Sequence, residues 1–230
     1  MRIWKTFVAF ILLLVTAATV AAAPAQTEPG AITVYGHAEM MVVPDVALVT
    51  AGVLTSGSDA AAVKRENDRV MNQIMERLKA EGITADKIQT AAVSLYPLQR
   101  SDDRAGVTGY RMHSSVTVTV EDLTRVGAVV DALFQAGANQ LQGVSFALRD
   151  DRALRADLLR QAVEDGRQQA ATIAESLGVR LGRPLSVTQN GRVYPVATDG
   201  YRIMKEAAGS PVNPGMLKAS VDLTLVFAVQ

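Results

Sequence analysis

The side chains best suited to chemistry in this 230-residue chain are its two histidines, His37 and His113. His37 and Glu39 stand two residues apart in an alternating stretch, so a strand there projects both from one face, with Tyr35 beside them. An imidazole beside a carboxylate is half of a metal site, or part of a seat for a small polar ligand. The same alternation equally makes a plain polar strand face, turned to solvent or to a subunit. His113 is followed by Ser114 and Ser115, and with a distant aspartate these residue types supply a nucleophile, a base and an orienting acid. No glycine-flanked serine elbow accompanies them, which argues against a hydrolase of that design.

Other routes to chemistry are weaker still. Asp102-Asp103, Asp150-Asp151 and Glu164-Asp165 lack the ligand order of a calcium loop and read as solvated loops or helix ends. Neither a P-loop nor a dinucleotide glycine pattern occurs, and Gly36, Gly52 and Gly57 read as strand bends or turns. The absence of cysteine excludes disulfides, thiolate metal sites and a cysteine nucleophile. Lys+Arg and Asp+Glu both number 23, with no basic patch interleaved with aromatics, so nucleic acid is not an expected partner. No cofactor is expected, and the chain reads as a non-enzyme.

The N-terminus sets the compartment. Arg2 and Lys5 precede an apolar run from Phe7 to Val20 and then AAAPA, the pattern of a secretory signal peptide over residues 1–25. Cleavage is possible after Ala22 or after Ala25, and the second keeps Pro24 away from the position following the cut. An uncleaved anchor is the alternative use of the same pattern. Removing residues 1–25 leaves 21 bases against 23 acids, a net charge of −2. No second long apolar run follows, so no integral span is expected in the mature chain. The signal directs the chain out of the cytoplasm, and a chain without cysteine suits an oxidising compartment.

After a lead-in over 26–30, a single domain over 31–230 is expected. Residues 32–43 alternate apolar and polar, 46–55 are apolar on both faces, and the two are expected to pair across Pro44-Asp45. Ser58 is placed to cap a helix bearing Val63, Val70, Ile74 and Leu78 and stopped by Gly82. Asp122 opens a second helix, stopped by Gly137. The third and longest runs from Asp151 to Gly178, with Leu154, Leu158, Ala162, Gly166, Ala170, Ile173 and Leu177 on one face. At 1.5 Å per residue it is roughly 40 Å long and must cross a broad surface such as a sheet. Its small residues Ala162, Gly166 and Ala170 invite close approach of another backbone and are candidates for an oligomer interface. The 197–215 loop is longer than a hairpin needs, and Tyr201, Ile203 and Met204 within it, with Met216 just after it, are further interface candidates.

The segments 59–120 and 152–229 share an order of helix, glycine, strand, polar loop and strand, which reads as an internal repeat. Helices separated by strand pairs point to an α+β fold, with helices packed on a mixed or antiparallel sheet.

The blocks ITVYGHAEMMVVPDVALVTAGV, DKIQTAAVSLYP, GYRMHSSVTVTV, ESLGVRLGRP and KASVDLTLVF together resemble the SIMPL-domain family. Matching positions include Gly36, Pro44, Asp45, Thr90, Pro97, Tyr110, Arg167, Gly178, Gly182 and Pro184; Gly166 departs from the alanine more usual in relatives. The resemblance implies a periplasmic α+β protein forming homo-oligomers that can be ring- or channel-like, with a role in envelope or oxidative-stress defence. It brings no catalytic residues.

Overall fold

The structure is a computed structural model that describes residues 30–99, 106–191, 195–197 and 214–230. Its strands are β1 (Ala31–Val42), β2 (Val46–Gly57), β3 (Ile88–Gln99), β4 (Val107–Val120), β5 (Gln140–Ala147), β6 (Leu181–Asn190), β7 (Val196–Ala197) and β8 (Leu217–Val229). The helices are α1 (Ala60–Ala80), α2 (Val126–Gln135) and α3 (Arg152–Ser176). The strands form two open antiparallel sheets, a terminal one ordered β1-β8-β6, with β7 also on β8, and a central one ordered β3-β4-β2-β5. The α+β class read from the sequence is the one observed.

The expected pairing of 32–43 with 46–55 does not occur. β1 runs from Ala31 to Val42 against β8, while β2 lies between β4 and β5. The link between β1 and β2 is too firmly held to turn back as a hairpin: the Asp45 N–H donates to the Ala147 carbonyl at 3.1 Å, and Asp45 Oδ1 accepts from the Arg149 N–H at 2.7 Å. These bonds tie the start of β2 to the end of β5.

Each sheet carries one long helix. α1 packs on β2 and β4, turning Val63, Val70, Ile74 and Leu78 into the core, with Asn67 buried on the same face. Asn67 Nδ2 donates to the Val53 carbonyl and to Thr55 Oγ1, both at 3.2 Å, so the amide ties the helix to β2. The helix cap is Asp59 and not Ser58: Asp59 Oδ1 accepts from the Ala62 N–H at 2.7 Å. All three helices end in the same way. Gly82, Gly137 and Gly178 adopt positive φ, and the next residue's N–H returns to a carbonyl five back, from Ile83 to Leu78, Ala138 to Leu133 and Val179 to Ala174.

α3 lies on β1 and β8 of the terminal sheet. Leu154, Leu158, Ala162, Gly166, Ala170 and Ala174 are its buried residues, so the face continues through Ala174, and Ile173 and Leu177 are exposed, contrary to the sequence reading. Ala162, Gly166 and Ala170 are consumed by this intrachain packing and are not available as an oligomer interface. Gly36 is likewise no bend. A methyl added there would lie 2.0 Å from the Ala162 carbonyl oxygen, and one added at Gly166 would lie 2.4 Å from Leu225 Cδ1 and 3.3 Å from Gly36 Cα. Helix and strand therefore meet backbone to backbone.

The two glycines have different tolerances. Gly36→Ala collides with a helix carbonyl that cannot move alone, and is expected to cost about 1–3 kcal/mol or more. Gly166→Ala presses on the end of a flexible leucine and more lightly on the Gly36 backbone, against a gain of about 1 kcal/mol of helix propensity, so it should cost less than Gly36→Ala. Urea unfolding of both variants checks this, and equal losses would refute the backbone-contact account.

One end of the central sheet carries a charge relay in the structural sense: Glu121, after β4, meets Lys87 Nζ at 2.6 Å, before β3, and Arg149 Nη2 at 3.1 Å, after β5. The Lys87 hydrogen bond, and after it the Arg149 charge, hold the Glu121 carboxyl below its ordinary 4.5. A carboxylate depressed in the folded state adds stability above its unfolded pKa, and loses it as pH falls through the lower folded value. Glu121→Gln should thus lower the Tm at pH 7, and the difference from the parent should shrink as pH falls below the ordinary carboxylate range, as thermal scans across acid pH would show.

Candidate functional site

Period-2 alternation along β1 buries Ile32, Val34, Gly36 and Ala38 against α3 and turns Thr33, Tyr35, His37 and Glu39 outward. The register sets Tyr35 opposite Thr224, His37 opposite Asp222 and Glu39 opposite Ser220 of β8. His37 Nδ1 lies 2.8 Å from Asp222 Oδ1, and Glu39 Oε2 lies 2.6 Å from Lys218 Nζ. Tyr35, 69% exposed, stands beside these pairs. The three residues singled out from the sequence do share a face, and the structure adds Asp222 and Lys218, which no local spacing could reveal because they arrive from the far end of the chain.

A carboxylate on Nδ1 orients an imidazole and leaves Nε2 facing away from it, the geometry of a general base or a metal ligand. Among the described residues no hydroxyl hydrogen-bonds to His37 Nε2, and no three His, Asp or Glu side chains gather in a cation-binding group. Glu39 is engaged by Lys218, so it does not join His37 as a second ligand in this arrangement.

His113 belongs to the central sheet. Its Nε2 lies 2.8 Å from the Gln142 amide nitrogen. Ser114 is buried on the opposite side of β4, the side facing α1, because adjacent strand residues alternate. Ser115 shares the His113 face, opposite Gly52, yet its buried Oγ has no hydrogen bond. Neighbours in sequence are thus not a nucleophile and base in space. Two shallow, open depressions among the described residues are lined, one by Asn72, Gln73, Glu76, Arg77, Gln135 and Ala136, another by residues 159–161, 163 and 164 of α3. Tyr201, Ile203 and Met204 lie outside the described residues; Met216, partly buried, directly precedes β8.

Two more residues complete the picture: Gln169, not singled out in the sequence, and Asp165, read there as part of a solvated loop or helix end but lying in the middle of α3 with its carboxylate against β1. The His37 N–H donates to Asp165 Oδ2 at 2.8 Å, and Gln169 Nε2 donates to the Tyr35 carbonyl at 3.0 Å and to Asp165 Oδ2 at 2.9 Å. Asp165 and Gln169 sit one turn apart on α3, flanking the small-residue face, and clasp the outer backbone edge of β1. Their i, i+4 spacing beside Gly166 was the available signal.

The arrangement defines an open-sheet α+β protein whose polar groups are mutually paired on a strand face. Residues 32–227 match the SIMPL family model, described as a protein of unknown function (DUF541), and the chain belongs to that family. It is 27% identical over 216 residues to the 26 kDa periplasmic immunogenic protein of Brucella melitensis, covering 89% of this chain and 86% of that one. The uncharacterized protein YggE of Edwardsiella ictaluri is 30% identical over 173 residues, 74% of this chain and 72% of its own. YggE of Escherichia coli K12 is 27% identical over 183 residues, 79% and 74% of the two chains. Among the described residues, no helix is long and apolar enough to cross a membrane.

Replacing Asp165 by alanine removes the acceptor for the His37 N–H. Hydrogen exchange at the His37 amide should accelerate by the equivalent of about 1.5–3 kcal/mol of local opening, the worth of a hydrogen bond to a charged group. Unchanged exchange at that amide would mean the clasp does not close the edge.

Proposed function

We propose that this chain is exported through its N-terminal signal, resides in the periplasm with peripheral association at the outer membrane, and acts by self-association and not by catalysis. The observation that carries the reading is a pair of sheet edges, β3 and β6, left unpaired among the described residues, each bearing exposed apolar side chains while the β1 edge is clasped. The printed name of the Brucella relative supports the compartment. The two helix-strand-strand units act as an internal repeat within one domain, and the 197–215 loop, with Tyr201, Ile203, Met204 and Met216, serves as an additional contact segment. A role in envelope or oxidative-stress defence rests on the family resemblance, and, with no cysteine, it proceeds without thiol chemistry.

A second reading, a small-ligand or metal module on the Tyr35, His37 and Glu39 face, is favoured by one feature, the carboxylate-oriented imidazole at His37. Zinc titration calorimetry on the parent and on His37→Ala separates it: uptake lost in the variant supports this module.

The self-association reading is tested by sedimentation across a concentration series from about 1 to 100 μM. A discrete oligomer is expected. A monomer throughout that range would remove the reading.

A further inference from the structure

In each sheet the long helix lies chiefly on two strands and leaves an outlying strand largely uncovered. α1 lies on β2 and β4, and α3 on β1 and β8; β3 and β6 are the outlying strands, at the same place in each helix-strand-strand order. The register puts Val93 opposite Ser114 and Leu95 opposite Met112, on the side of the central sheet that carries α1. Val187 is opposite Leu225, on the side of the terminal sheet that carries α3. Val93 is 64% exposed, Leu95 44% and Val187 56%; Leu185, at the β6 bulge, is 42% exposed. Each sheet thus ends in an apolar shelf beside a long helix.

The backbone edges of these strands are equally undefended. β3 carries no charged residue in its twelve, and β6 carries only Arg183 in its ten. Their prolines and register breaks lie toward the ends, at Thr90/Ala92 and Leu98/Gln99 in β3 and between Leu181 and Ser186 in β6, so 92–96 and 186–190 run regularly. Bulges, prolines and charges are what ordinarily stop edge pairing, and they are absent from these stretches. The other edges differ: β1 is clasped by Asp165 and Gln169, and β5 is eight residues long with a register shift opposite Thr50/Ala51.

We infer that β3 of one copy pairs with β6 of a second copy, joining the central sheet of one molecule to the terminal sheet of the next and burying Val93 and Leu95 with Val187 and Leu185 between α1 and the neighbour's α3. This rests on the self-association reading and specifies its interface. A second copy is the occupant because one chain carries both shelves in equivalent places. A head-to-tail contact covers both with a single type of interface, whereas β3–β3 pairing would leave the β6 shelf in water and demand a second interface to cover it. Heterologous contacts of this kind propagate until they close.

The cysteine-free chain allows a direct test. Val93→Cys and Val187→Cys alter exposed side chains, and so do Leu95→Cys and Leu185→Cys, which allow for an offset in register. One member of each β3/β6 pair carries an affinity tag, and the mixed proteins are treated with a short bismaleimide. Cross-links between a β3 cysteine and a β6 cysteine, well above the statistical half of all dimers, are expected. Val187→Lys should move the association midpoint to at least about tenfold higher concentration, by setting an unpaired charge in the contact. An assembled parent protein that yields only like-with-like or statistical links overturns this interface and leaves self-association standing. A parent that stays monomeric removes both. Cross-linking in whole cells solely to a foreign polypeptide assigns the shelves to a different partner and likewise overturns the inference.

Discussion

The contact on which the terminal sheet depends is the backbone approach of α3 to β1 at Gly166 and Gly36. There is no room for a Cβ at Gly36, because the Ala162 carbonyl oxygen occupies it. A helix seated this deeply brings side chains on its flank within reach of the strand's outer edge. Asp165 and Gln169 then take the His37 N–H and the Tyr35 carbonyl, groups that β8 on the other side leaves unpaired. A bulkier residue at position 36 would lift the helix, and the clasp would lose its reach. Two missing side chains therefore decide which edge of the sheet is closed to pairing, and so which edge is left open.

The two helix-bearing sheets solve the same packing problem with different residues. α1 fills its contact with Val63, Val70, Ile74 and Leu78, and holds its angle through the Asn67 amide on β2. α3 fills its contact mainly with alanine and glycine, and holds its angle through the clasp. In both, the helix is centred on a pair of strands, and its width, about 10 Å with side chains, matches two strands spaced at about 4.8 Å. The largely uncovered outlying strands β3 and β6 are thus a geometric consequence of a helix centred on its two neighbours. The apolar side chains at Val93, Leu95 and Val187 are what the sequence adds to that geometry.

Faces and stops were legible in the sequence; neighbours were not. The alternation in β8 correctly marks Val221, Leu223, Leu225 and Phe227 as buried, and Gly82, Gly137 and Gly178 correctly mark the helix ends, because both signals are local. Period 2 says which way a side chain points and nothing about which strand lies alongside. That is why β1 and β2, adjacent in sequence and both strongly patterned, were read as partners although they enter different sheets. The small-residue stripe of α3 has the same ambiguity: alanine and glycine at helical spacing announce a close approach without saying whether the approaching backbone belongs to the same chain. Asn67 hid for a different reason, since a polar residue breaks an apolar count even when it lies on the buried face.

The outer face of the terminal sheet bears on where recognition happens. His37 with Asp222 and Glu39 with Lys218 are cross-strand hydrogen-bonded or ion pairs on an exposed surface, where such pairs stabilise a sheet modestly. A partner docking flat on that face would have to replace bonds already made. A strand added at β3 or β6 displaces only water from backbone groups and covers apolar side chains at once. By that comparison the energetically open parts of this molecule are its edges, and the paired polar face is the quieter surface.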